Sequence, residues 1–204
     1  MKFYGGMGPN PRVVSLFFLE KGLEVPLVEV DLMKGENREP AHLARNPAGQ
    51  LPTLELDDGQ FLSEITAICE YIDELHPEPS LMGATAEERA LTRMWVRRID
   101  LNICEPIVGA FRYGEGLSMF KDRIRTIPEA ASGLKVLAQE QLAWLDGVCA
   151  GRSFVAGDRF TLADILLYGF LEFGANVGQP FSEDLQWVSS WYARISERAS
   201  VKAG

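Results

Sequence analysis

One stretch constrains this chain more than any other: Asn46–Thr66, reading NPAGQLPTLELDDGQFLSEIT. A loop ends at Leu51-Pro52, a short strand follows over Thr53–Leu56, and Asp57-Asp58-Gly59 turns the chain into a second strand that runs to Leu62. Asp-Gly between two apolar runs is among the better short-range hairpin signals. A helix begins near Ser63-Glu64. An X-Pro bond tolerates the cis form far better than other peptide bonds. If Leu51-Pro52 is cis at the mouth of a sheet, the Leu51 N–H and C=O face outward, where an extended peptide can pair with them by strand addition. The free N–H groups and positive dipole end of the helix at Glu64 suit a carboxylate. A plain hairpin behind an ordinary loop proline fits the same spacing.

At 204 residues the chain can bury a proper core, as one large or two small domains. Its apolar and charged fractions are those of a soluble globular protein. No apolar run reaches the ~18 residues that a membrane span needs. MKFYGGMGPN lacks an apolar signal-peptide core, which points to a cytoplasmic location. A formal charge of -9, with basic residues scattered, argues against nucleic acid or an anionic membrane as partner. Cys69, Cys104 and Cys149 stand far apart among apolar neighbours, and His42 and His76 are distant from each other. No metal-ligand spacing results, and the thiols read as small buried hydrophobes.

Met1–Tyr4 reads as a strand leading into the glycine-rich turn Gly5-Gly6-Met7-Gly8-Pro9. Asn10 takes the N-cap position of a helix with Pro11 at its first helical position, and the helix stops at Gly22. Val25–Leu32 is a second strand and Lys34–Arg45 a polar, weakly helical crossover. From Glu64 the positions Ile65, Ile68, Cys69, Ile72 and Leu75 keep to one helical face. His76–Met82 carries two prolines and reads as a linker. The domain boundaries that follow are 1–76, a linker at 77–85, and 86–204.

Beyond the linker the pattern is all-helical. Ala86–Tyr113 reads as one long helix with the ridge Leu91, Trp95, Ile99, Ile103, Ile107 and Phe111, bent near Asn102 by Pro106. Pro128–Cys149 is a second helix with Leu134, Leu137, Leu142, Leu145 and Val148 inward. Thr161 and Asp164 form a capping box for a central helix that is apolar all round. Ser182 caps a last helix, with Val188, Trp191, Tyr192 and Ile195 inward. The architecture is a small mixed α/β domain followed by an α-bundle.

These features together resemble the cytosolic glutathione transferases over essentially the whole chain. The residues that carry the likeness are NPRVVSLFFLEKG after the first strand, NPAGQLPTLELDDGQFLSE…AICEYIDE in the middle, AFRYGEG around residue 112 and FTLADILLY near the end. The resemblance implies a thioredoxin-like N-terminal domain, an all-α C-terminal domain, a homodimer, and glutathione as co-substrate with no metal. It implies that Leu51, before Pro52, pairs with the cysteinyl backbone of glutathione and that Gln50 reaches its glycyl or cysteinyl portion. Glu64 would meet the ligand's ammonium group. Ile65 stands where a hydroxyl residue is usual, so the ligand carboxylate is left to the Ile65 N–H and the helix dipole, with help from the Ser63 or Thr66 hydroxyl.

The chemistry rests on holding the glutathione sulfur as a thiolate. Relatives place Ser or Cys four residues before the arginine of the first helix; here that position is Gly8, counted from Arg12. Tyr4 ends the strand, but its spacing to Arg12 is too long for the tyrosine pattern. GPNPR keeps the asparagine of the nu-like loop and lacks its threonine, which makes Asn10 the implied catalytic residue, while Arg12 is read as supporting the loop. Met7, Pro9, Val108, Phe111, Arg112 and Tyr113 are the candidates for a hydrophobic electrophile site, with interdomain core the competing role for Val108 and Phe111. Asp100 is a candidate for the partner subunit's ligand ammonium. Conjugation of small hydrophobic electrophiles, in detoxification, is the leading expectation. Glutathione-dependent disulfide or peroxide reduction and non-catalytic binding stand beside it.

Overall fold

Apart from the run that forms the first helix, the apolar stretches before residue 64 are short, and four of them pair into one sheet. In the computed structural model, residues 1–203 are described, and they form two units, Met1–Leu81 and Met82–Ala203. The stretch 77–85 straddles that boundary. Strands β1 (Lys2–Gly5), β2 (Leu27–Glu29), β3 (Thr53–Glu55) and β4 (Phe61–Ser63) lie in the order β2-β1-β3-β4. β1 and β2 are parallel and the other pairs antiparallel. The crossover between β1 and β2 is helix α1 (Pro9–Glu20). A single-turn helix α2 (Pro40–Leu43) lies between β2 and β3, and α3 (Ile65–Leu75) follows β4.

Phe3, on the inner face of β1, meets Phe18 of α1 edge-on with ring centroids 5.3 Å apart. Leu54 of β3 and Ile68, Cys69 and Ile72 of α3 are buried with them, as the helical spacing requires. Leu75, expected on that face, is exposed. β2 covers less than the expected Val25–Leu32, since Pro26 has no N–H with which to extend the ladder.

Helix α1 starts earlier than its sequence suggests. Pro9 and not Pro11 takes the first helical position, Gly8 at φ 123 lies just outside, and no side chain caps the end. Asn10 is therefore inside the first turn and is not the N-cap. The far end agrees with the sequence: Gly22 sits at φ 66, its N–H reaches Leu19 O at 3.0 Å, and the Leu23 N–H reaches Phe18 O at 2.9 Å. Between them Lys21 turns inward. Its buried ammonium pairs with Asp73 and donates to the carbonyls of His76 and Pro79 at 2.6 Å each, fastening the end of α3 and the following prolines to α1.

The second unit is helical throughout: α4 (Ala86–Ile99), α5 (Glu105–Tyr113), α6 (Leu117–Phe120), α7 (Ala131–Cys149), α8 (Leu162–Asn176), α9 (Gln186–Ser196) and α10 (Ala199–Ala203). The single long helix expected over Ala86–Tyr113 is two helices. Pro106 cannot supply an N–H to Asn102, and the ladder widens over Asp100–Cys104 into a π-helical segment in which the Glu105 N–H reaches Asp100 O. The inward stripe of α7 is Ala138, Leu142, Leu145 and Cys149. Leu137 and Val148 face solvent, because the stripe follows the helix geometry and not the largest side chains. Ser182 does not cap α9, which begins after Leu185. Ser182 Oγ accepts the Asp184 N–H at 3.3 Å in a turn of its own.

α8 is the center of this unit, buried from Leu162 to Leu171. The capping box is present in full, with the Thr161 hydroxyl accepting from Ala163 N–H and the Asp164 carboxylate accepting from Thr161 N–H. Asp164, wholly buried, also accepts from Val155 N–H and Trp191 Nε1–H, both at 2.9 Å. No described helix is long and apolar enough to cross a membrane.

Candidate active site

The first unit brings three of the sequence-derived pieces to one end of its sheet. Tyr4 pairs with Thr53, and Thr53 pairs in turn with Ser63. One and two residues beyond those pairs lie Gly5 and Gly6 on the first strand, Pro52 and Leu51 on the second, and Glu64 and Ile65 on the third. The loop that starts α1, the Leu51-Pro52 edge and the start of α3 thus share one rim. Gly6 is required there, since a Cβ would lie 2.6 Å from Val30 O.

The Leu51-Pro52 bond is cis. Leu51 is 7% exposed, its side chain packed with Tyr4 and Val30. Neither its N–H nor its C=O has a hydrogen-bond partner among the described residues. Pro52 is buried, and the Gln50 side chain is exposed. Glu64 is exposed at φ 73, the one non-glycine residue with positive φ among the described residues. A conformation of this kind persists only where its surroundings over-determine it, and it recurs at ligand sites. No side chain caps α3, so the first-turn N–H groups of Ile65 and Thr66 stand open beside the Glu64 carboxylate.

At α1, Pro9 and Pro11 have no N–H, and Arg12 N–H is bound to Gly8 O at 3.3 Å. Asn10 alone supplies an amide hydrogen to the first three helical positions, together with its half-buried side chain. Met7 is 68% exposed and Pro9 half-buried on the same loop. Tyr4 is committed elsewhere. Its hydroxyl donates to Glu55 at 2.7 Å, a bond that raises its pKa, and Arg45 lies 4.5 Å over its ring. The cysteines supply no thiolate: burial holds Cys69 and Cys104 well above the usual thiol range and pushes Cys149 up to about 11. A nucleophilic sulfur at this rim has to come from a ligand. Among the described residues no cluster of His, Cys, Asp and Glu could hold a metal ion.

In the second unit Val108 is buried and Phe111 lies edge-on between Phe120 and Phe173, centroids 6.0 and 5.1 Å away. Phe111 is a packing residue of that unit. Arg112 and Tyr113 are half-buried in the last turn of α5.

The sequence reading missed what holds the Leu51 loop in place. The crossover supplies buried Asn37, whose Nδ2 donates to Gly49 O at 2.6 Å. Buried His42 and Asn46 both donate to Gln50 O, each at 3.0 Å. Gly49 sits at φ 62, where a side chain is strained, and a Cβ there would crowd the Asn37 carbonyl oxygen at 3.1 Å. Nothing in the local sequence marks these three polar residues as buried.

Comparison with known proteins fits this geometry. Residues 7–75 match the family model of the glutathione S-transferase N-terminal domain and residues 119–199 that of the C-terminal domain. The chain is 34% identical over 205 residues to glutathione S-transferase 2 of Saccharomyces cerevisiae, covering 96% of this chain and 84% of that one. A solved glutathione S-transferase domain-containing protein of Marinobacter aquaeolei superposes with a TM-score of 0.93 at 36% identity, over 98% of this chain and all of that one. A sphingomonad glutathione S-transferase solved in complex with glutathione superposes at 0.83, with 27% identity, over 100% of this chain and 96% of that one.

Proposed function

Because the chain belongs to the glutathione S-transferase family, we propose that it binds glutathione along the Leu51 edge and joins its sulfur to small hydrophobic electrophiles. The observation that carries this reading is the unpartnered Leu51 N–H and C=O with Glu64 and the open start of α3 on the same rim. Leu51 pairs with the peptide backbone of glutathione. Glu64 takes its ammonium group, and the Ile65 and Thr66 N–H groups take its carboxylate, helped by the positive end of α3. Gln50 lies alongside the glycyl or cysteinyl portion.

Asn10, with the dipole of α1, holds the sulfur as thiolate, the form that attacks an electrophilic carbon as the leaving group departs with the bonding pair. Met7 and Pro9, on the loop that starts α1, are the side chains of this unit assigned to the electrophile. The remaining features (homodimer, cytoplasmic location, a role in detoxification) accompany this reading.

Calorimetric titration with glutathione, followed by the pH dependence of the bound thiolate's ultraviolet absorbance, tests it. The bound thiol is expected to ionise below the ~8.5 of a free thiol, and Asn10→Ala is expected to move it back up. No binding at millimolar glutathione removes the assignment. Turnover of 2-hydroxyethyl disulfide without turnover of chlorodinitrobenzene replaces conjugation by disulfide reduction.

A further inference from the structure

The Leu51 N–H is unpaired at the rim, while the carbonyl on the other side of the same peptide plane is held twice. In a trans peptide the C=O and the following N–H point in opposite directions, and the Gln50-Leu51 bond is not among the cis bonds. Whatever fixes the Gln50 carbonyl therefore aims the Leu51 N–H. Two buried side chains do so from behind: His42, 2% exposed, through Nε2 at 3.0 Å, and Asn46, 3% exposed, through Nδ2 at 3.0 Å. We propose that His42 and Asn46 are positioning residues that direct the Leu51 N–H toward the backbone of bound glutathione; this rests on the function proposed above.

Satisfying one carbonyl needs one donor, and here two converge. A carbonyl only accepts, so the facing Nε2 of His42 carries a hydrogen. The Nδ1 of the same ring is buried without a partner. The imidazole thus lies in the interior for a single bond, an arrangement that costs stability and that satisfaction of the carbonyl alone does not require. Asn46 is braced to serve as the second donor: its Oδ1 accepts the Ala48 N–H at 3.1 Å, and its own carbonyl accepts the Gly49 N–H at 2.9 Å. Asn37, on Gly49 O, and Arg38, on Ala48 O at 3.3 Å, hold the two preceding carbonyls. Three successive carbonyls are gripped by side chains of the crossover, and the first free amide after them is that of Leu51.

The test uses glutathione and γ-glutamyl methylamide, a probe that retains the α-amino acid end for Glu64 and lacks the cysteinyl residue. In the unaltered protein, glutathione is expected to slow hydrogen exchange at the Leu51 amide, and the methylamide to leave it unchanged. His42→Phe keeps a flat ring without a donor, and Asn46→Asp keeps the Oδ1 acceptor without the NH2. Each is expected to raise the Kd for glutathione about tenfold, the scale of one misdirected hydrogen bond. The Kd for the methylamide, read from the Ile65 and Thr66 amide shifts, is expected to stay within about twofold. His42→Gln, which restores an N–H near the Nε2 position, is expected to recover glutathione affinity.

Equal loss of both ligands makes these residues merely structural and overturns the proposal, as does unchanged glutathione affinity in either variant. A Leu51 amide whose exchange ignores bound glutathione overturns it on the unaltered protein, whether or not a variant folds. Failure of the unaltered protein to bind glutathione is a different result: it removes the proposed function, and this inference with it.

Discussion

Helix α8 begins behind Thr161, whose hydroxyl takes the Ala163 N–H while Asp164 reaches back to the Thr161 N–H. Helix α3 begins behind Glu64, exposed, at positive φ and with no side-chain cap. The contrast extends to the units that contain them. The buried side-chain atoms without a partner among the described residues are Asn37 Oδ1, His42 Nδ1 and Thr53 Oγ1, all in the sheet-bearing unit. In the helical unit the polar groups are used on the protein itself, for stability. In the first unit those near Leu51 and Glu64 are held open or aimed at one rim, which is how a ligand site differs from a core.

The largest expected effect lies on the closed side. Asp164→Ala strips the acceptor from the Val155 and Thr161 amides and from the Trp191 indole, and should cost roughly 3–5 kcal/mol in urea unfolding. A loss below about 1 kcal/mol would mean the α8 start is not the closed structure described. The same carboxyl titrates. Burial pushes it up to about 6 against the pull of its donors, from an ordinary 3.8. The folded chain therefore binds this proton more readily than the unfolded one. The stabilisation is complete below pH ~4 and fades as pH rises through ~6. Relative to Asp164→Asn, the unaltered protein should lose stability across that window; a flat difference would show that the donors cancel burial, and a gain that they outweigh it.

On the open side, Glu64→Gly separates stability from binding. Glycine accepts φ 73 without strain, so the variant should unfold about 1 kcal/mol harder. Its affinity for glutathione should fall about tenfold, as loss of the ammonium's partner implies. Comparison with Glu64→Ala, which loses the carboxylate and keeps the strain, sharpens the reading. If the glycine variant is less stable than the alanine one, the backbone at 64 is not strained.

How far the sequence speaks follows the same division. Local chemistry was readable: the Asp57-Asp58-Gly59 turn, Gly22 as helix stop, the Thr161 and Asp164 box and the disruption at Pro106 all depend on neighbours a few residues away. Asn10 was misplaced because Pro9 and Pro11 both suit a helix start, and only the turn at Gly8 chooses between them. Leu137 and Val148, read as inward, face solvent because helix geometry gives those places to Ala138 and Cys149. The grip of Asn37, His42 and Asn46 on the Leu51 loop was illegible, since polar residues in a crossover are ordinarily solvated and nothing local marks them as buried. At the site, Leu51 and Glu64 could be named from their motif. Their shared rim required the strand register.

The smallest expected effect is also the most direct test of the contrast, because one substitution should have opposite signs in the two units. Thr53 is fully buried and its hydroxyl has no partner. Thr53→Val replaces that hydroxyl with a methyl of similar size, removes the cost of an unsatisfied polar atom, and should stabilise by about 1 kcal/mol. Thr161, equally buried, uses its hydroxyl for the Ala163 N–H and lies 3.2 Å from Asp164 Oδ2. Thr161→Val should destabilise by about 1 kcal/mol as a lost cap. Both are read from midpoints in the same urea titration, where an unchanged slope certifies that stability and not compactness has moved. If Thr53→Val destabilises as Thr161→Val does, its hydroxyl is in use, and the first unit is closed at that point like the second.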